Sequence, residues 1–121
     1  MTRLLTKLVK NMAYKVMIMP PAKRRLDKYV YYTAEVLKNK PAARAILKDA
    51  RDTKKRLSMA ADTLQICGNP ILGKYGYRKI NFAKHRFVMI YRIVDKTVIV
   101  DGMFHELQDY EGIFTYELNL H

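Results

Sequence analysis

Residues 77–104, YRKINFAKHRFVMIYRIVDKTVIVDGMF, contain three runs rich in β-branched and aromatic side chains: Tyr77 to Phe82, Phe87 to Val94 and Thr97 to Phe104. Such residues suit a pleated, half-buried surface. The intervening breaks, Ala83 to Arg86 and Asp95-Lys96, are short, so the stretch predicts an antiparallel three-stranded meander. Alternation along the middle run places Arg92 with Val88 and Ile90, opposite Phe87, Met89 and Tyr91. A sheet of this composition needs cover, and the residues before it supply it. From Ala22 to Asn39, the positions Ala22, Leu26, Tyr29, Val30, Thr33, Val36 and Leu37 recur at helical spacing. Asn39-Lys40-Pro41 breaks that helix. A second stripe follows, formed by Ala43, Ile46, Leu47, Ala50, Leu57, Ala61 and Leu64. Neither helix can bury its stripe alone, so the two are expected to pair as an αα-hairpin on the sheet.

Upstream, Ala13 to Met19 alternates as a short strand that Pro20-Pro21 stops. Gln65 to Gly76, with Gly68, Asn69, Pro70, Gly73 and Gly76, reads as a loop. Glu106 to Phe114 places Leu107, Tyr110 and Phe114 at the spacing of a last short helix. The order β-α-α-β-β-β-α, with helices segregated from strands, is an α+β fold: a helical hairpin packed on a small, mainly antiparallel twisted sheet. Residues 12–121 make one domain. Residues 1–11 are either an added basic helix or a segment ahead of a true start at Met12.

The chain has 121 residues, half of them hydrophobic and 28% charged, a globular mixture sized for a single core. Its longest apolar run in the strand region, Phe87 to Tyr91, is far short of the roughly 20 residues of a membrane span. The basic N-terminus lacks the apolar region and cleavage site of a secretory signal, so a cytoplasmic protein with no membrane partner is expected. Cys67 is the only cysteine, which excludes an internal disulfide and a cysteine metal cluster.

Charge is the most informative bulk property. Lys and Arg number 23 against 11 Asp and Glu, a net +12, which makes polyanions the natural partners. Residues 1–60 carry the whole excess, with 16 basic and 4 acidic side chains. The rest is balanced but polarised: Lys74, Arg78, Lys79, Lys84, Arg86 and Arg92 precede a stretch, 93–121, holding six acids and one base. This segregation predicts one cationic face on the sheet, able to attract phosphates. A solvated basic surface is the competing explanation.

The order of elements, together with Gly76-Tyr77-Arg78-Lys79, Met89-Ile90-Tyr91-Arg92-Ile93 and His105-Glu106-Leu107-Gln108-Asp109-Tyr110-Glu111, resembles the RelE/ParE superfamily of type II toxins. Lys40-Pro41-Ala42-Ala43-Arg44-Ala45-Ile46-Leu47 is similar to the family's helix-hairpin turn. The likeness runs from Met12 onward. It implies a small sheet with the hairpin on one side and a concave cationic face on the other, and an acidic cognate antitoxin encoded nearby. It also implies one of two activities: RelE-like members cleave mRNA on the ribosome without metal or cofactor, and ParE-like members inhibit DNA gyrase. Fold alone does not choose between them. One departure bears on the choice, since many relatives carry an arginine where this chain has Leu107 and Gln108.

RNA cleavage by the 2′-hydroxyl needs a base, an acid and cations for the extra phosphate charge. His105, which the resemblance matches to the family motif, is the first choice for acid or base; anchoring the final turn is its structural alternative. Tyr110 suits proton transfer or base stacking, and equally a core position. Arg78 and Arg92 are candidate catalytic cations, and Lys74, Lys79, Lys84, His85 and Arg86 candidate RNA contacts. For Arg92 an internal carboxylate, Asp101 or Glu106, is the competing partner. Tyr29, Met59, Met89 and Tyr91 sit at core-periodic positions, whereas Tyr31, Tyr32 and Tyr116 fall outside the stripes and are expected to be exposed. Ribosome-dependent endoribonuclease is the first reading, gyrase inhibitor the second, and a non-toxic RNA-binding relative the third.

Overall fold

The computed structural model describes residues 13–118; the expectations for residues 1–11 lie outside that range. Strand β1, Lys15–Ile18, turns Val16 and Ile18 towards the core and Lys15 and Met17 outwards. Pro20 and Pro21 then occupy the opening positions of helix α1, Pro20–Tyr31, where a missing N–H costs nothing. The helix was expected to run on to Asn39. Instead its end widens into a π turn, Tyr32–Val36, closed by Leu37 N–H donating to the Tyr32 carbonyl at 3.0 Å. The Thr33 hydroxyl donates to the Tyr29 carbonyl at 2.9 Å, the kind of side-chain competition that loosens a helical ladder. Asn39 caps helix α2, Lys40–Ala60, by accepting from Ala42 N–H at 3.1 Å.

A second difference lies in the expected loop. Helix α3, Pro70–Lys74, interrupts it, because the Asn69 side chain accepts from both Ile71 and Leu72 N–H, and Leu72 is fully buried. Ile66 also bridges Arg78 at the sheet edge. Strands β2, Arg78–Asn81, β3, Phe87–Val94, and β4, Thr97–His105, form the expected meander. Helix α4, Tyr110–Glu117, starts four residues later than expected, since Glu106 and Leu107 turn and Asp109 caps it through Gly112 N–H.

The sheet order is β1-β4-β3-β2, with β1 parallel to β4 and the other pairs antiparallel. The register between β3 and β4 shifts once: Ile90 faces Gly102 and Tyr91 faces Val100, so Asp101 is an extra, bulged residue. The bulge lets Val100 and Met103 share one face although their numbers differ in parity. That face, with Ile80, Met89, Tyr91 and Val98, packs on Ala22 and Leu26 of α1 and Ile46, Ala50 and Leu57 of α2. The other face carries a second apolar cluster of Val88, Ile90 and Phe104 with Leu72, Tyr77 and Phe114. Gly102 fits under it only without a side chain, since a Cβ there would lie 2.8 Å from Phe104 Cε2. Met59, expected in the core, is 58% exposed, because two residues on from the buried Leu57 it falls on the opposite side of the helix.

Candidate functional site

The sheet's cations do not gather on one face. Arg78 shares its side with Ile80, facing the hairpin, and its Nη1 donates to the Leu64 carbonyl. Lys79 points the other way, with Nζ 3.0 Å from Glu111 and 3.1 Å from the Tyr110 hydroxyl. Arg92 donates through Nε to Asp101 Oδ2 at 2.9 Å, and Asp101 also accepts from the Tyr77 hydroxyl at 3.4 Å. Arg86 Nε stands 3.6 Å from Glu106, which also accepts from Asn81 Nδ2 at 3.0 Å. Lys74 and Lys84 extend exposed ammonium groups without a partner among the described residues.

The expectation of a single phosphate-binding face is therefore corrected, for two physical reasons. Strand alternation sends neighbours 78 and 79 to opposite faces. The meander and the helix after it also fold the acidic C-terminal stretch back along the basic one, so charges segregated in sequence become ion pairs in space. Asp101 is available to Arg92 because the bulge turns it out of the ladder. The far face, expected to be concave and cationic, is instead largely covered by the second apolar cluster and α4.

Lys79 is largely buried, its side chain and that of Glu111 being 16% and 17% exposed. Burial alone would lower its pKa, but the hydrogen bonds to Glu111 and Tyr110 outweigh burial and hold it above the ordinary lysine value. Glu111 also accepts from Asn69 N–H at 2.8 Å, tying α4 to the start of α3. Lys79→Ala is expected to cost about 2 kcal/mol in a urea titration, because it leaves a half-buried carboxylate short of its partner. An unchanged midpoint would mean that Glu111 is satisfied by water.

A different group of residues converges at the end of the sheet, around Phe87. Asp49, on α2, is 3% exposed, and its carboxylate accepts from Ala83 N–H at 3.2 Å and Lys84 N–H at 2.9 Å. His85 Nδ1 lies 2.7 Å from the same group. Burial alone would raise the Asp49 pKa, but the hydrogen bonds from His85, Lys84 and Ala83 overcome it and hold the carboxyl below its usual value. An ionised carboxylate only accepts, so His85 Nδ1 carries a hydrogen and, in the neutral ring, Nε2 is left as the base.

His105 has the opposite arrangement. Its Nδ1 accepts from Leu107 N–H at 3.2 Å, which leaves the hydrogen on Nε2 in the neutral ring. It stands directly across the ladder from Phe87, ring centroids 5.6 Å apart and edge-on; His85 stacks near the same ring at 6.5 Å. Tyr29 completes the group at 4.6 Å from Phe87, and its hydroxyl donates to Gln108 Oε1 at 3.4 Å. The site thus has an acceptor nitrogen on His85 and a donor N–H on His105 flanking one aromatic ring. Sequence reasoning named both histidines but missed Asp49. The signal was present: it is a carboxylate on the stripe Ile46, Ala50, Thr53, Leu57 that faces the core.

Among the described residues no helix is long and apolar enough to cross a membrane. A four-stranded mixed sheet with a helical hairpin on one face and a C-terminal helix on the other defines the class as small basic α+β domains of the RelE/ParE kind. Residues 16–110 match the family described as ParE toxin of type II toxin-antitoxin system, parDE. The chain belongs to that toxin family, and so has a cognate antitoxin as its partner. A solved structure entitled "Chromosomal ParDE TA system from P. aeruginosa" shares the fold at a TM-score of 0.65, with 17% identity over 78% of this chain and 97% of that one. No curated protein matches.

Proposed function

We infer that this toxin acts on DNA gyrase without covalent chemistry of its own. The match of residues 16–110 to ParE toxins carries this reading. The geometry of the sheet supports it, because Lys79, Arg86 and Arg92 are paired with Glu111, Glu106 and Asp101 and do not stand free around His105. Purified toxin added to gyrase and relaxed plasmid is expected to abolish supercoiling and accumulate protein-linked DNA breaks. Transcripts in induced cells are expected to stay intact. Normal supercoiling together with new RNA ends in a 5′-end map would overturn it.

One observation favours ribosome-dependent RNA cleavage as a second reading: the complementary hydrogen placement on His85 and His105. Such a pair supplies the base for the 2′-hydroxyl at His85 Nε2, worth about 10²- to 10⁴-fold, and a hydrogen-bond donor for the phosphate charge at His105 Nε2, while the departing 5′-oxygen takes its proton from water. The same RNA-end map decides for or against it.

The antitoxin is proposed to be acidic, encoded beside this gene, and to dock partly along α1. An open groove of about 860 Å³ there is lined by Arg24, Lys28, Tyr29 and Tyr31; its two acids, Asp27 and Glu117, are paired with Lys23 and Arg25, so Arg24 and Lys28 are left to meet an acidic segment that folds as it binds.

A further inference from the structure

Among the described residues, the longest run of unpaired positive charge lies along α2. Lys40, Arg44, Lys48, Arg51 and Lys55 are all exposed. At 3.6 residues per turn they fall within an arc of about 80°, along a line of about 22 Å. The line runs opposite the stripe of Ala43, Ile46, Ala50, Thr53 and Leu57 that packs on the sheet. Only Lys48 has a carboxylate partner, Asp52, at 3.5 Å; the other four have none among the described residues.

Solubility does not require this arrangement. The pairs Lys40/Arg44, Arg44/Lys48 and Arg51/Lys55 stand four residues apart, where like charges repel and weaken a helix. Lys40 and Arg44 also lie in the first turns, where the helix dipole disfavours cations, and no acid stands there to offset them. The ridge therefore opposes the stability of its own helix, and a polyanion laid along it relieves that repulsion.

We propose that this ridge is a docking surface for the phosphate backbone of duplex DNA. As one side of a helix it is convex, and about 22 Å of it matches roughly six phosphates of one strand at 3.4 Å of axial rise each. None of α2's large apolar residues is exposed before Met59. An acidic peptide that must fold on binding therefore finds no anchor along the ridge, whereas a phosphate backbone needs only the charges. Single-stranded RNA likewise finds no aromatic ring on the ridge to stack against. The proposal rests on the gyrase reading for where DNA is met, since the toxin would touch enzyme and DNA together. Backbone contact of this kind is independent of sequence.

The test is fluorescence anisotropy of the full chain with a short labelled DNA duplex across a salt titration. The wild type is expected to show a slope of log affinity on log salt of about −4, one unit of about 0.9 for each phosphate neutralised. The triple variant Arg44→Gln, Arg51→Gln, Lys55→Gln is expected to lose about 2.7 of that slope while keeping its thermal melt. Lys74→Gln with Lys84→Gln, which removes exposed charge elsewhere, is expected to retain more of the slope.

An unchanged slope in the triple variant overturns the proposal. So does an equal loss per charge in the control, which would mean diffuse attraction, or tighter ridge-dependent binding of single-stranded RNA. Loss of antitoxin capture with an unchanged DNA slope overturns it in favour of the antitoxin as occupant. Its failure is separable from that of the gyrase reading. Ridge-dependent DNA binding by a toxin that leaves gyrase untouched sinks only the gyrase reading, and full gyrase inhibition by the triple variant sinks only the ridge.

Discussion

Replacing Asp49 by alanine is expected to lower stability by about 3 kcal/mol, because hydrogen bonds to a charged acceptor contribute about 1.5–3 kcal/mol each and some of the freed donors will find water. That corresponds to a fall of roughly 15 °C in the melting temperature of a domain this size. The carboxylate joins α2 to the turn between β2 and β3 through Ala83, Lys84 and His85, so its loss frees the turn as well as the helix. Asp49→Asn keeps one acceptor and should cost about half as much.

The pH dependence has a definite sign. The folded protein holds this carboxyl below its ordinary value, so its contribution is complete above the unfolded value and is lost as pH falls through the folded one. The wild-type melting temperature should therefore drop on the acid side more steeply than that of Asp49→Ala, and the two curves should converge there. Parallel curves measured by calorimetry across the acid range would show that the carboxylate does not bind the turn in its ionised form.

Phe104→Ala is expected to have the largest effect of any single substitution, about 4 kcal/mol, because emptying a buried aromatic site costs about 3–5 kcal/mol. Phe104 is fully buried at the centre of the second cluster, with its ring 6.1 Å from that of Phe114 on α4. Arg25 reaches from α1 to lie 4.4 Å from the ring centroid, and also pairs with Glu117 of α4. One ring thus seats the C-terminal helix and the cation that ties α1 to it. A domain stable by about 5–15 kcal/mol has little reserve against such a loss. Urea unfolding followed by circular dichroism measures it, and Phe104→Leu, which fills most of the volume, should recover more than half. A loss below about 1 kcal/mol would mean that the cluster collapses around the gap, against the close packing described here.

The meander was legible because its signals are local. Alternation over Phe87 to Val94 and the two-residue break at Asp95-Lys96 each specify a strand or a turn within a few residues, and β3 has the expected bounds. Pro20-Pro21 and Asn39 marked the helix starts for similarly local reasons. The departures came where side chains bond to distant or competing backbone. Thr33 loosens the end of α1, Asn69 and Leu72 turn a glycine-rich loop into α3, and the bulge at Asp101 depends on how β4 must present Val100 and Met103 to the same helices.

For the site, residue types were readable and partners were not. Both histidines were named from the sequence, but the hydrogen placement on each depends on Asp49, 36 positions before His85, and on the turn at Leu107. The cations of β2 and β3 were counted correctly and assigned wrongly to a common face.

The amino-acid order by itself determined that the fold is α+β, that a hairpin of helices covers a meander, and that the whole carries a strong positive charge. Periodicity, turn chemistry and composition act over a few residues and need no partner. Only the tertiary structure decided which charges are free. Chain reversal through β4 and α4 brings Asp101, Glu106 and Glu111 against the sheet's cations, while α2, packed by one face alone, leaves its opposite ridge unanswered. Coulomb attraction depends on distance in space, and that distance is set by the fold rather than by position along the chain.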